Sequence, residues 1–168
     1  MATITVRIHI PAPPEAVWAV IEDLEHQGDW MVDVRRLKVV SERKRGAGAV
    51  MHVTSELFGL PIVKDVMEIT VWEPPRRMDV EHRGQFHGTG SFILEPTADG
   101  TSFTWVEDFR PPLGPLGELV FAVLVRPHLR RVFFRSVSNV RRLALEHASE
   151  FGTVMDASIE SHPRDNDR

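Results

Sequence analysis

The chain has 168 residues, 42% of them apolar and 26% charged, the balance of one ordinary globular domain large enough to bury its own core. It contains no cysteine, so disulfides and thiolate metal sites are excluded, and a formal net charge of -4 gives no general attraction to nucleic acid. The opening residues MATITVRIHI lack the basic-then-apolar pattern of a signal peptide, and no apolar run reaches the roughly 18 residues of a membrane span, so the reading is a soluble, cytoplasmic protein.

Residues 3–10 alternate, with Ile4, Val6, Ile8 and Ile10 on one face and Thr5, Arg7 and His9 on the other, which is the period of a half-buried strand. Pro11 and the pair Pro13-Pro14 stop it. Pro14 suits the first turn of a helix, where a missing N–H is no loss. Val17, Trp18, Val20, Ile21 and Leu24 then fall at helical spacings, and a second short helical stretch over 25–31 ends near Trp30. Six strands are expected next, over 34–41, 50–58, 62–72, 78–83, 86–94 and 102–109. Gly59-Leu60-Pro61, Gly84 and Asp99-Gly100 mark tight connections between them. Such short links favour an antiparallel sheet over βαβ units, and hence an α+β class.

Beyond Phe109 the run RPPLGPLG reads as a stiff loop, and a helical pattern continues to about Ser149. Pro127 divides it into a short leading segment and a main helix that starts near the proline. Leu129, Val132, Phe133, Ser136, Val140 and Leu143 form the apolar stripe, while Arg131, Arg135 and Arg142 lie opposite, toward solvent. Residues 151–168 are polar and unpatterned, and read as a mobile tail after a single domain over 1–150.

Several motifs carry a family resemblance. They are Ala12-Pro13-Pro14-Glu15-Ala16-Val17-Trp18, Asp23-Leu24, Trp30 with Val34, Trp72-Glu73-Pro74-Pro75-Arg76-Arg77 and Gly100-Thr101. With the order of elements they resemble the START/Bet v1-like (SRPBCC) superfamily, notably its bacterial polyketide cyclase/dehydrase and lipid-transport members. The resemblance implies a helix-grip fold, with a curved seven-stranded antiparallel sheet around the long C-terminal helix and a deep apolar cavity between them. It also implies a hydrophobic ligand such as a lipid, sterol or polyketide, and in some members cyclisation or dehydration. Fold alone does not choose among these.

Strand parity selects the side chains that would face such a cavity. Asp65 shares a face with Met67, Ile69 and Val71; His82 follows Met78 and Val80; Glu107 joins Phe103, Trp105 and Phe109. Met51, Ser55, Phe86, Phe92, Phe133 and Ser136 complete the expected lining, with Trp30 at its edge. Asp65, His82 and Glu107 are the candidate catalytic groups. Desolvation raises a carboxyl pKa and histidine titrates near neutrality, which suits removing a proton beside a carbonyl and delivering one to oxygen. A buried salt bridge is the competing reading for the same three residues, and core packing the competing reading for the aromatics.

No metal or cofactor is called for, because His82 and His87 have no carboxylate at ligand spacing and Gly84, Gly88 and Gly90 do not open a helix. The chain has no tyrosine, whereas aromatic cyclases of the resembling group use tyrosine hydroxyls in the pocket. Three functions therefore stand side by side: a cyclase or dehydratase, a non-catalytic carrier or sensor of a lipid, quinone or pigment, and a protein-interaction module using the arginine-lined helix. The partner expected is a hydrophobic small molecule rather than nucleic acid, and the oligomeric state is open.

Overall fold

A computed structural model describes residues 2–84, 87–110 and 114–160, with backbone alone for 115, 116, 118 and 150–160. Seven strands, β1 (Ala2–Ile10), β2 (Val34–Val39), β3 (Val50–Leu57), β4 (Leu60–Glu73), β5 (Arg77–Arg83), β6 (His87–Thr97) and β7 (Gly100–Phe109), form one sheet in the order β1-β7-β6-β5-β4-β3-β2. Every pairing is antiparallel. Five pairings join consecutive strands; the sixth places β1 beside β7, so the chain must cross from one edge of the sheet to the other between β1 and β2.

The proline-rich stretch makes that crossing. Pro14 opens helix α1 (Pro14–Ile21), which is followed by a 3-10 segment, Leu24–Asp29. The loop before α1 is pinned to the β6–β7 hairpin: Thr101 Oγ1 donates to the Ala12 carbonyl at 2.7 Å, and a Cβ on Gly100 would sit 2.2 Å from the Ile10 carbonyl oxygen. Ala16, Val17, Trp18, Val20 and Ile21 are buried, and Trp18 meets Trp72 edge to face at 5.2 Å. Trp72 faces inward because of a bulge between Ile69 and Val71, which sets Trp72 opposite the buried Met78 and turns Val71 off the parity expected for it.

Helix α2 (Gly114–Val120), a π turn (Phe121–Val125) and helix α3 (Arg126–Glu160) form one continuous helical rod. The break expected at Pro127 is replaced by the π turn, in which the Arg126 N–H reaches back to the Phe121 carbonyl. Proline lacks the N–H of the next bond and crowds the carbonyl four residues earlier; a wider turn just before it relieves both. The rod runs to Glu160, past the end expected near Ser149. Residues 161–168 of the expected tail lie outside the described residues. Its buried stripe is Phe133, Ser136, Val137, Val140 and Ala144, and it packs on β1 and α1. This is a helix-grip architecture. No helix among the described residues is long and apolar enough to cross a membrane.

Candidate functional site: a cavity under the long helix

Between the sheet and the start of α3 lies a cavity of about 110 Å³. Its polar wall is assembled across β4 to β7. Register sets His82 on β5 opposite Gly88 on β6, and Gly90 opposite Glu107 on β7. Glycine is required at Gly88, where a Cβ would lie 1.9 Å from the Asp108 carbonyl oxygen, while a Cβ on Gly90 would lie 2.5 Å from Glu107 Oε1 and displace that side chain. The intervening strand is thus a trough, and over it His82 and Glu107 meet.

His82 Nδ1 is 2.5 Å from Asp65 Oδ2 and its Nε2 is 3.1 Å from Glu107 Oε2. The second oxygen of Asp65 accepts the backbone N–H groups of Val66 and Gly84, both at 2.8 Å. Trp105 Nε1 donates to Glu107 Oε1 at 2.7 Å. All three residues are buried. Burial by itself pushes the His82 pKa down, but hydrogen bonds to Asp65 and Glu107 and the attraction of their charges outweigh it, and the pKa stands at about 10. His82 is therefore an imidazolium at neutral pH, donating through both nitrogens. Among the described residues no lysine or arginine lines the cavity.

Met51, Ser55, Met67, Phe92, Trp105 and Phe133 all belong to the cavity wall, with Trp105 stacked on Phe133 at 4.3 Å. Two residues expected to contact a ligand are placed elsewhere. Trp30 is buried behind the wall, edge-on to Phe92 at 5.8 Å and to Trp105 at 6.0 Å. Ser136 donates to the Val132 carbonyl and accepts from the Val32 N–H, both at 3.1 Å. It ties α3 to the segment after Trp30, its hydroxyl consumed by backbone. Phe86 lies outside the described residues.

Sequence reasoning missed Asp33. It sits on the cavity wall just before β2, where its carbonyl accepts the Glu56 N–H at 2.7 Å. The β2–β3 pairing slips by one residue between Val34 and Arg36, so strand parity carries no information about the neighbouring Asp33. Its carboxyl atom Oδ1 is buried with no hydrogen-bond partner among the described residues. Burial is the main reason that its pKa rises from 3.8 to about 6; its own backbone N–H opposes this, and the Glu107 and Glu56 charges add to it. The other added carboxylate, Glu56, is ion-paired to Arg35 at 2.6 Å.

The geometry has relatives. The protein TTHA0849 from Thermus thermophilus matches with a TM-score of 0.72 and 21% identity over 86% of this chain and 98% of that one. The Zhui aromatase/cyclase from Streptomyces sp. R1128 matches with a TM-score of 0.61 and 17% identity over 88% and 93% of the two chains. Ara h 8.0201 matches with a TM-score of 0.60 and 15% identity over 86% and 98%. At such identities the likeness is one of fold, and it agrees with the Bet v1-like helix-grip architecture. No curated protein matches the chain. The family model described as polyketide cyclase / dehydrase and lipid transport covers residues 1–144, and the chain belongs to that family.

Proposed function

We propose that the cavity binds a compact, uncharged hydrophobic carbonyl compound and that the protein moves protons on it, as in cyclisation or dehydration of a polyketide-like substrate. Asp33 carries this reading: a carboxyl with a pKa of about 6 whose Oδ1 is buried without a partner among the described residues, on the wall of an otherwise largely apolar cavity. At pH 7 it is roughly nine-tenths ionised, ready to act as a base and close enough to neutrality to give the proton back. Its carboxylate takes the proton from the carbon beside the carbonyl. The His82 Nε2–H, held less closely by Glu107 than Nδ1–H is by Asp65, turns to the oxygen on which negative charge develops. The carbanion attacks a second carbonyl in the same molecule, forming the carbon–carbon bond, and the new alkoxide takes the proton from Asp33. A second removal of a proton by Asp33 expels the hydroxyl, which leaves as water with that proton. Asp65 and Glu107 position and charge the imidazolium rather than touch substrate.

Size and charge narrow the ligand. A cavity of about 110 Å³ is smaller than the roughly 150 Å³ apolar cavity that holds benzene, so it seats at most one ring, and a larger ligand such as a fused bicyclic ketone has to push side chains of the wall aside. A wall that holds Asp33, Glu56, Asp65 and Glu107 and, among the described residues, no lysine or arginine disfavours a carboxylate. A second reading, carriage without conversion, draws support from the cluster itself, in which every carboxylate oxygen and both ring nitrogens already have partners.

The test is hydrogen–deuterium exchange at C2 of 1-tetralone in D2O, followed by proton NMR. Proton-transfer catalysis predicts exchange above the buffer rate, reduced by about 100-fold or more in Asp33→Asn. Binding without exchange would leave the carrier reading.

A further inference from the structure

We propose that the protein docks on anionic lipid bilayers through the tip of the β3–β4 hairpin and the outer face of the α2–α3 rod. These two elements flank the same cavity. Leu57 and Val63 from the base of the hairpin and Phe121, Val125 and Leu129 from the rod belong to its wall, and Phe58 stacks on His128 with ring centroids 4.5 Å apart.

The tip displays Phe58, Leu60 and Ile62, each between 54% and 59% exposed. The rod displays Leu119, Val120, Val123 and Leu124, between 46% and 61% exposed. Isolated exposed apolar side chains are ordinary, but seven large ones on two adjoining elements are not. The backbone at the tip adds a second observation. Phe58 has φ 52 and Gly59 φ 82, the left-handed pair of a two-residue hairpin turn. Asparagine or aspartate is favoured at the first of these positions, and a bulky residue there is strained. The strained turn holds Phe58 against His128 while leaving 55% of it exposed, so hairpin tip and rod present one joined apolar surface.

Charge identifies the partner. Along the rod the apolar residues give way to Arg126, Arg130, Arg131 and Arg135, all exposed, with Phe134 among them and Arg7 of β1 across a surface groove. No ion pair is formed by these helix arginines among the described residues. An apolar edge bordered by arginines matches the interface of a bilayer, with side chains in the acyl boundary and guanidinium groups at the phosphates. A nucleic acid would satisfy the arginines but leave the apolar tip in water. Docked this way, two elements that wall the cavity lie against the source of a hydrophobic ligand, a role independent of whether Asp33 performs chemistry.

Vesicle sedimentation tests it, using phosphatidylcholine alone and phosphatidylcholine with about 30% phosphatidylglycerol. The full chain is expected to pellet with the anionic vesicles and to be released by high salt. Arg130→Glu/Arg131→Glu should weaken binding by about tenfold or more. Phe58→Asn should weaken it too while changing the melting temperature little, since asparagine suits the turn and offsets the lost ring contact with His128; loss of binding then cannot be loss of fold. Absence of binding to anionic vesicles, or binding unchanged in both variants, would overturn the proposal. So would a solution dimer, seen by light scattering, that Leu124→Glu disperses.

Discussion

Replacing Asp33 by asparagine isolates the most unusual electrostatic feature of the cavity. In the folded protein its pKa is raised from 3.8 to about 6, so between those values the native state holds a proton that the unfolded chain has released. Stability therefore falls as pH rises through this window and is level above it. At about 1.4 kcal/mol for each pH unit, ionising Asp33 in place costs the fold about 3 kcal/mol near neutrality. Asparagine keeps the shape and removes the charge. Urea unfolding of both proteins from pH 4 to pH 8 gives the difference directly, because groups that do not interact with Asp33 contribute equally to the two. The variant is expected to gain on the wild type by roughly 2–3 kcal/mol as pH rises, most of it below about pH 6.5. A difference that does not change with pH would refute the claim that Asp33 is desolvated.

His82 behaves in the opposite sense. Its folded pKa of about 10 lies above 6.5, so its contribution to stability is complete below pH 6.5 and is lost as pH rises through 10; NMR should find the ring charged from pH 6 to pH 8. Removing the charge by His82→Gln leaves Asp65 and Glu107 buried without a cation and should lower stability by about 3–5 kcal/mol in urea unfolding. Gly90→Ala sets a methyl group against Glu107 Oε1 and Val80, so Glu107 must leave its place; a loss of about 1–3 kcal/mol and weakened tetralone binding are expected. Ser136→Ala should cost about 1–3 kcal/mol by leaving the Val32 N–H unpaired, with tetralone affinity unchanged by titration.

Strand parity carried most of the site. Met67, Val80, His82, Trp105 and Glu107 lie on regular antiparallel register, where a period of two fixes the face, and the wall contains them all. Parity failed where register slips. The bulge beyond Ile69 exchanges Val71 for Trp72, and the slip at Val34 hides Asp33. Ser136 shows a different limit: an apolar helix stripe identifies a buried hydroxyl but not whether backbone or ligand receives it, and here two backbone groups do. Pro127 was a sound signal of a disturbed helix, yet a π turn absorbs it without a break, which no local pattern announces. The glycines of β6, which in sequence only argue against a phosphate-binding loop, leave room that Glu107 and the backbone of β7 take.

The central claim is that this cavity is where a ligand binds. The chain has four tryptophans, and their indole N–H signals report on separate places. Trp105 lies on the cavity wall with its N–H bonded to Glu107, whereas Trp18 and Trp72 pack on each other away from it. Titration of ¹⁵N-labelled protein with 1-tetralone is expected to shift the Trp105 indole signal saturably while those of Trp18 and Trp72 stay in place. An unmoved Trp105 signal at millimolar ketone, or equal drift of all four, would contradict the account.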